Sequence, residues 1–360
     1  MPIKSFRGVQ AVRFATALVV VLFHACYWYN RDAGAGAGGQ APTLELLGDM
    51  CVWTFFLISG FVVTHVVDSG REPDWSTFAV RRAVRILPLA WSMTAVKIVA
   101  AIAIPNAMFD GGLNAGRIVS SFLLIPTRDP DGHFRTLWGV EWTLVFEAAF
   151  YAAVAVCIAA RVDPVRFITP ILVAVSVLAV WRPEGGSITW FYADPVLLFL
   201  AAGMVLSRAH REGRPFSGML WLSGLAVVFA VIRALTGASG AVEAVAVFLL
   251  VSGVFAAVIA SERRIGARIP AWLVTAGEAS FAIYLTHPLV AQLLPRLLGL
   301  TGVTGVPWWA VVSVSVAISV LFGLAVHRWL DAPFGRVLRR RFVPRKPSVP
   351  ARTPDRQATA

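Results

Sequence analysis

Apolar residues run in long unbroken blocks along this chain, without the two-residue alternation of a half-buried strand. Blocks at 10–29, 46–68, 86–105, 136–160, 165–181, 190–207, 218–235, 241–261, 272–298 and 307–330 are each close to the length that crosses a bilayer as a helix, about 20 residues. The pattern predicts an all-α polytopic membrane protein with about ten transmembrane helices. A closed transmembrane barrel is excluded because the runs are continuous. The apolar piece Ile118–Pro126 is too short to cross and is expected at the interface.

The first block has a competing reading. Lys4, Arg7 and Arg13 before Phe14–Leu22, and Ala33-Gly34-Ala35-Gly36-Ala37 after it, imitate a signal peptide with its cleavage site. Its apolar run extends to Tyr29, long for such a segment, so it reads as a retained first span. Gly34–Gly39 then reads as a flexible external loop. The same glycines resemble a dinucleotide fingerprint, but no strand precedes them and no helix with a ribose-binding acid follows.

Composition agrees. Hydrophobic residues make up 58% and charged residues 14%, with a mean hydropathy of +0.72. A soluble domain carries roughly a quarter charged residues. The formal charge of +12 at first suggests nucleic acid, but no basic stripe with interleaved aromatics lies on a soluble domain. The charge instead sorts by side. Of 32 Lys/Arg, 22 fall in the N-terminus, the loops 69–85, 161–166, 207–217 and 262–270, and the tail 332–360; five fall in the opposite loops (Arg31, Arg117, Arg128, Arg135, Arg182). The positive-inside rule puts both termini in the cytoplasm. The expected organisation is a membrane-embedded domain over 1–331 and a disordered basic tail over 332–360. Cys26, Cys51 and Cys157 lie in apolar stretches and fit neither a disulfide framework nor a metal site.

Ionisable residues inside spans are costly and mark function or pairing. Arg13 and His24 lie eleven residues apart in the first span. On a helix that spacing returns to within about 20° and rises roughly 16 Å, so the two share a face. Either they are a snorkelling arginine and a packed histidine, or they form a polar track holding an anion at its mouth and an acid/base group inside. Arg82 and Arg85 share a helix face at the end of the first cytoplasmic loop, and their forks suit bidentate phosphate recognition. They also serve a plain topology signal. Ser59-Gly60 in the second span suits close helix packing. Glu147 lies near mid-bilayer with Tyr151 one turn on, and His287 stands in the late segment Ser280–Pro288. Together these imply an interior polar cavity, in an enzyme or in a proton-coupled transporter.

Five segments in order resemble the integral-membrane acyltransferase-3 family: Arg13 to His24; Phe55-Phe56-Leu-Ile-Ser59-Gly60-Phe61; Arg82-Ala-Val-Arg85-Ile-Leu-Pro88; Trp142-Thr143-Leu-Val-Phe-Glu147-Ala-Ala-Phe150-Tyr151; and Ser280 to His287-Pro288. The resemblance runs from Val9 to about Arg340 and is nearest the exopolysaccharide O-acetyltransferase branch. It implies a multi-pass protein of the bacterial plasma membrane that moves an acyl group, acetyl first, from cytoplasmic acyl-CoA to a hydroxyl of a sugar-containing acceptor. Carried over residue by residue, Arg13, Arg82 and Arg85 would hold the CoA head. His24 would act as general base or acyl carrier, Glu147 would orient or charge-balance an imidazole, Tyr151 and Ser59 would position, and His287 would participate or support. No metal is implied. Acyl-CoA, the acceptor and membrane lipid are the expected partners, nucleic acid is not, and a homo-oligomer stays open. Trp53 and Glu141 depart from the pattern: the family carries an acid at the first position and glycine at the second. If that acid orients His24 elsewhere, another group must do so here. The alternatives are a transporter or export component using the same cavity, and an inactive scaffold. Specificity is expected in the external loop 106–135, with Asp110, Asp129, Asp131 and His133.

Overall fold

The computed structural model describes residues 6–33, 45–72, 74–103, 113–129, 132–183, 185–303 and 305–343. The expected external loop 34–39, Asp110, Asp131 and the tail beyond 343 lie outside them. In chain order the structure has α1 (Arg7–Trp28), α2 (Glu45–Asp68), α3 (Trp75–Ala103), the short α4 (Ala115–Phe122), and the two-residue strands β1 (Thr127–Arg128) and β2 (Phe134–Arg135), paired antiparallel. Next come α5 (Trp142–Ala160), α6 (Pro164–Val177), α7 (Leu197–Glu212), α8 (Pro215–Leu235) and α9 (Ala241–Ile265). The chain closes with α10 (Ala271–Glu278), α11 (Ser280–Ala291), α12 (Leu293–Thr301), α13 (Trp308–Val326) and α14 (Ala332–Phe342). Outward side chains are apolar, as in Ile102, Leu321 and Met219, each about two-thirds exposed, which suits lipid as the solvent. This is an all-α polytopic membrane protein.

Eight helices among the described residues are long and apolar enough to cross a membrane. Two expected spans differ. The block 190–207 becomes a helix only from Leu197, because the Asp194 side chain accepts from the Val196 amide at a turn that includes Pro195. The resulting α7 is short and buried over Leu197–Val205, a helix enclosed by protein instead of lipid. It nevertheless runs the length of α2: Phe199 stacks on Trp53 near one end and Arg208 pairs with Asp68 at the other. The block 272–298 is broken into α10, α11 and α12. These pieces follow α1 from Gly277 beside Gln10 to Gly299 beside Asp32. Both paths run beside a helix long enough to cross, α7 along α2 and α10–α12 along α1.

Gly60 and Gly203 let α2 and α7 touch. A β-carbon at Gly60 would meet the Leu200 carbonyl oxygen at 2.2 Å, and one at Gly203 the Leu57 oxygen at 2.0 Å. Small residues are the means by which helices approach closely where lipid supplies no hydrophobic drive. With Gly60 against α7, neighbouring Ser59 is turned toward α5. The interfacial piece expected at 118–126 is α4, capped by the Asn114 side chain, followed by a turn through Leu124 at φ 54°. The tail departs from the expected disorder at its start. A π-turn over His327–Asp331 carries α13 into α14, which displays Arg339, Arg340 and Arg341 beside exposed Phe334, Val337 and Phe342. A basic helix with apolar side chains of this kind lies in a membrane interface.

Candidate functional site

Helices α1, α2, α3, α5 and α11 enclose a cavity of about 160 Å³. Arg13 from the second turn of α1 and Arg82 and Arg85 from α3 all line it. The tertiary fold therefore brings the three guanidiniums expected to act together into one lining. Glu72 is 3.8 Å from Arg82 and Asp331 is 3.8 Å from Arg85, long ion pairs, and Arg13 donates to Gln10 at 3.4 Å. Arg82 lies over the rings of Phe78 and Tyr151, and its Nε is buried with no hydrogen-bond partner among the described residues. Arg85 lies over Phe281. Forks held on aromatic faces and only loosely paired are well placed to receive an anion.

Deeper in the same cavity, Ser59 Oγ donates to Glu147 Oε1 at 2.9 Å, and the Tyr151 hydroxyl donates to the same oxygen. The resemblance implies that Glu147 orients or charge-balances an imidazole. In the structure its carboxylate instead gathers Ser59 and Tyr151, opposite the three arginines, and no histidine reaches it. The reason lies in register: Ser59 is one position from the α2–α7 contact at Gly60, which fixes where its hydroxyl points, and Tyr151 is one turn beyond Glu147 on the same helix.

The histidines form a second group. His24 and His287 do not line the cavity; their rings sit 4.8 Å apart, with Trp28 against both. Tyr284 stands between the two groups. It lines the cavity, its ring is 5.8 Å from Phe55 and 6.0 Å from His287, and its hydroxyl donates to the Val140 carbonyl. Sharing a helix face thus places Arg13 on the cavity and His24 one ring layer beyond it.

Both imidazoles are oriented by backbone. His24 Nδ1 is 2.9 Å from the Val20 carbonyl oxygen, and His287 Nδ1 is 2.6 Å from that of Tyr284. A carbonyl only accepts, so each Nδ1 carries the proton and each Nε2 presents a lone pair. Pro288 explains the second bond. It lacks the N–H that would have met the Tyr284 carbonyl in a regular helix, and the His287 ring occupies that position. His287 is fully buried and its Nε2 has no partner among the described residues.

The two departures from the family pattern are also resolved. Trp53 faces α7 and α8, stacked on Phe199, edge-on to Phe229 and under the Arg233 guanidinium. That position points away from His24, so a carboxylate there would not orient it in this fold. Glu141 is fully buried and accepts from Thr94 Oγ at 3.1 Å, tying the approach to α5 onto α3. Tyr284, Thr143 and Phe55 belong to the site without having been singled out. Tyr284 carried a signal, since it lies one turn before His287 in the same segment.

The sequence model of the acyltransferase-3 family, described as an acyltransferase domain, matches residues 6–328. The chain belongs to this family and is a membrane acyltransferase. Among curated proteins it is 29% identical over 350 residues to the exopolysaccharide production protein ExoZ of Rhizobium meliloti (strain 1021), covering 90% of this chain and 97% of the relative. It is 28% identical over 372 aligned positions to the acyltransferase MdmB of Streptomyces mycarofaciens, covering 93% and 92%. No solved structure matches the chain.

Proposed function

We propose that the protein is an O-acyltransferase of the bacterial plasma membrane. It moves an acyl group, acetyl first, from cytoplasmic acyl-CoA to a hydroxyl of a carbohydrate-containing acceptor. The observation that carries this reading is the pairing of two backbone-aimed imidazoles one ring layer beyond a cavity lined by three loosely paired arginines. The donor is an anion with a long arm ending in a thioester. Arg82, Arg85 and Arg13 suit its phosphates, and the arm would enter past Glu147 and Tyr151, between Phe55 and Tyr284, toward His24. The exopolysaccharide role in the name of one relative directs the acceptor class.

In the step itself, Nε2 of His24 takes the proton of the acceptor hydroxyl as that oxygen attacks the thioester carbonyl carbon. The carbon–sulfur bond breaks, the acyl group stays on the acceptor oxygen, and the sulfur takes the proton back from the imidazolium. Glu147 balances the arginine charge and holds Ser59 and Tyr151 against the incoming arm. His287 packs beside His24 and fixes the ring's surroundings. A site drained of bulk water contributes by orientation.

His24→Ala should lower acyl transfer by about 10²–10⁴-fold, measured with purified protein and labelled acetyl-CoA, while membrane insertion stays intact. Full activity in that variant would remove His24 from the chemistry. A labelled acyl adduct on His24 would replace direct transfer by a carrier route. A protein that never consumes the donor, with any acceptor, would support a transporter instead.

A further inference from the structure

Opposite the arginine cavity, the external loops build a second concavity of about 400 Å³, within the range of small-molecule sites. Its floor and walls are aromatic: Trp142 and Phe146 from the start of α5, and Trp190 and Phe191 from the turn before α7. Phe191 stacks on Phe146 at 4.9 Å. Its rim holds Arg135 and Arg182, with side chains 52% and 42% exposed; Arg182 Nη2 donates to the Ala193 carbonyl, and Arg135 has the Asp129 carboxylate at 3.6 Å.

The rim carboxylates are committed to the loops. Asp129 is 4% exposed at its side chain and accepts from the His133 amide, and Asp194 accepts from the Val196 amide. Arg128 braces the floor by donating to the Gly132 and Gly185 carbonyls. Arg135 and the part of Arg182 not spent on the Ala193 carbonyl thus remain accessible at the rim, on the side of the membrane where arginine is disfavoured. At Arg182 and Asp194 this concavity meets another, of about 420 Å³, which has Trp53 and Arg233 in its wall. The two concavities share Arg182 and Asp194 as a common wall and together make an extended groove.

We infer that this external groove binds an acidic oligosaccharide, stacking sugar rings on Trp190 and Trp142 and pairing carboxylate or phosphate substituents with Arg135 and Arg182. The inference rests on the acyltransferase reading for its role as the acceptor site. Sugar faces carry C–H groups that pack on aromatic rings, and guanidinium forks match carboxylates and phosphates bidentately. The location suits the role. Trp142 floors the groove, its ring is 6.1 Å from that of Phe56, and Phe56 and the neighbouring Thr143 line the inner cavity. A saccharide seated here is separated from the donor cavity by one aromatic wall.

The test uses the full-length protein in nanodiscs and two probes of equal length, an oligogalacturonide and a neutral malto-oligosaccharide. Binding is followed by tryptophan fluorescence and by calorimetry. The oligogalacturonide should bind at least tenfold tighter than the neutral probe, and added salt should erode the difference. Arg135→Gln, Arg182→Gln and Trp190→Ala should each weaken oligogalacturonide binding at least tenfold in protein that remains monodisperse. Arg135→Gln disturbs least, since its partner is the Asp129 carboxylate alone at 3.6 Å. Equal affinity for the two probes, or unchanged affinity in all three variants, overturns the proposal. Donor consumption by the wild-type protein, assayed separately, decides the acyltransferase reading: its absence would sink that reading, while charge-selective binding lost in the variants would still establish the groove.

Discussion

Pro288 shows how a single residue shapes the chemistry of its neighbour. By withholding a backbone N–H from the Tyr284 carbonyl, it leaves an acceptor that the His287 ring fills, and the ring's tautomer follows. Pro288→Ala would restore the competing N–H. It should lower the catalytic rate by about tenfold while thermal stability holds or rises, because a proline is removed from a helix. An unchanged rate, measured beside a melting curve, would show that the carbonyl does not aim His287. The motif Ser280–Pro288 was visible in the sequence, and so was the presence of both histidines in spans. Their contact was not: 263 positions separate them. Glu147 was equally visible in the sequence; that its carboxylate accepts from both Ser59 and Tyr151 is decided by the packing of α2 against α5.

Elements here are positioned by small residues as much as by large ones. Gly60 and Gly203 bring α2 against α7 closely enough that any β-carbon collides with backbone. Gly60→Ala should therefore lower the melting temperature and the monodisperse yield, with a cost of about 1–3 kcal/mol from overpacking. Gly224→Ala, where a β-carbon meets nothing within 4 Å, is the control and should change neither. Equal melting of the two variants would remove the α2–α7 contact as a determinant of the fold. The same helices show why two spans were misjudged in extent. Hydropathy reads apolar length: α7 and α11 are apolar because protein surrounds them, α10 and α12 keep exposed apolar side chains, and the breaks at Asp194-Pro195 and around Ala279 are hidden by an average over a window.

Across the whole molecule, one arginine ties the ends of three helices together. Arg208 on α7 donates to Asp68 at the end of α2 and to Asp163, which caps α6. The Arg208 hydrogen bond, with help from the Val165 and Arg166 amides, holds the Asp163 carboxyl below its ordinary value. A carboxylate depressed in the folded state contributes stability that is complete above its unfolded pKa of about 3.9 and is lost as pH falls through the folded value. Melting temperature should thus be flat from pH 7 to about 5 and fall below about 4, and Asp163→Asn should lower the plateau and flatten that fall. An identical acid limb in the variant would show that other groups set it.

Span positions, the sorting of basic residues by side and the list of chemically costly residues were legible without a structure. Each is a local or additive property: transfer free energy is set residue by residue, and loop charges simply sum. The family resemblance was legible for a related reason, since its five segments are short and ordered along the chain. What only tertiary structure decided is which of those residues meet. The arginines converge because α1 and α3 flank one cavity, and the histidines pair because α11 runs beside α1. The external groove exists because a hairpin and a turn from separate loops close over the start of α5. Such contacts depend on helix rotation and close approach, which are set by packing between segments far apart in sequence. No local pattern along the chain encodes them.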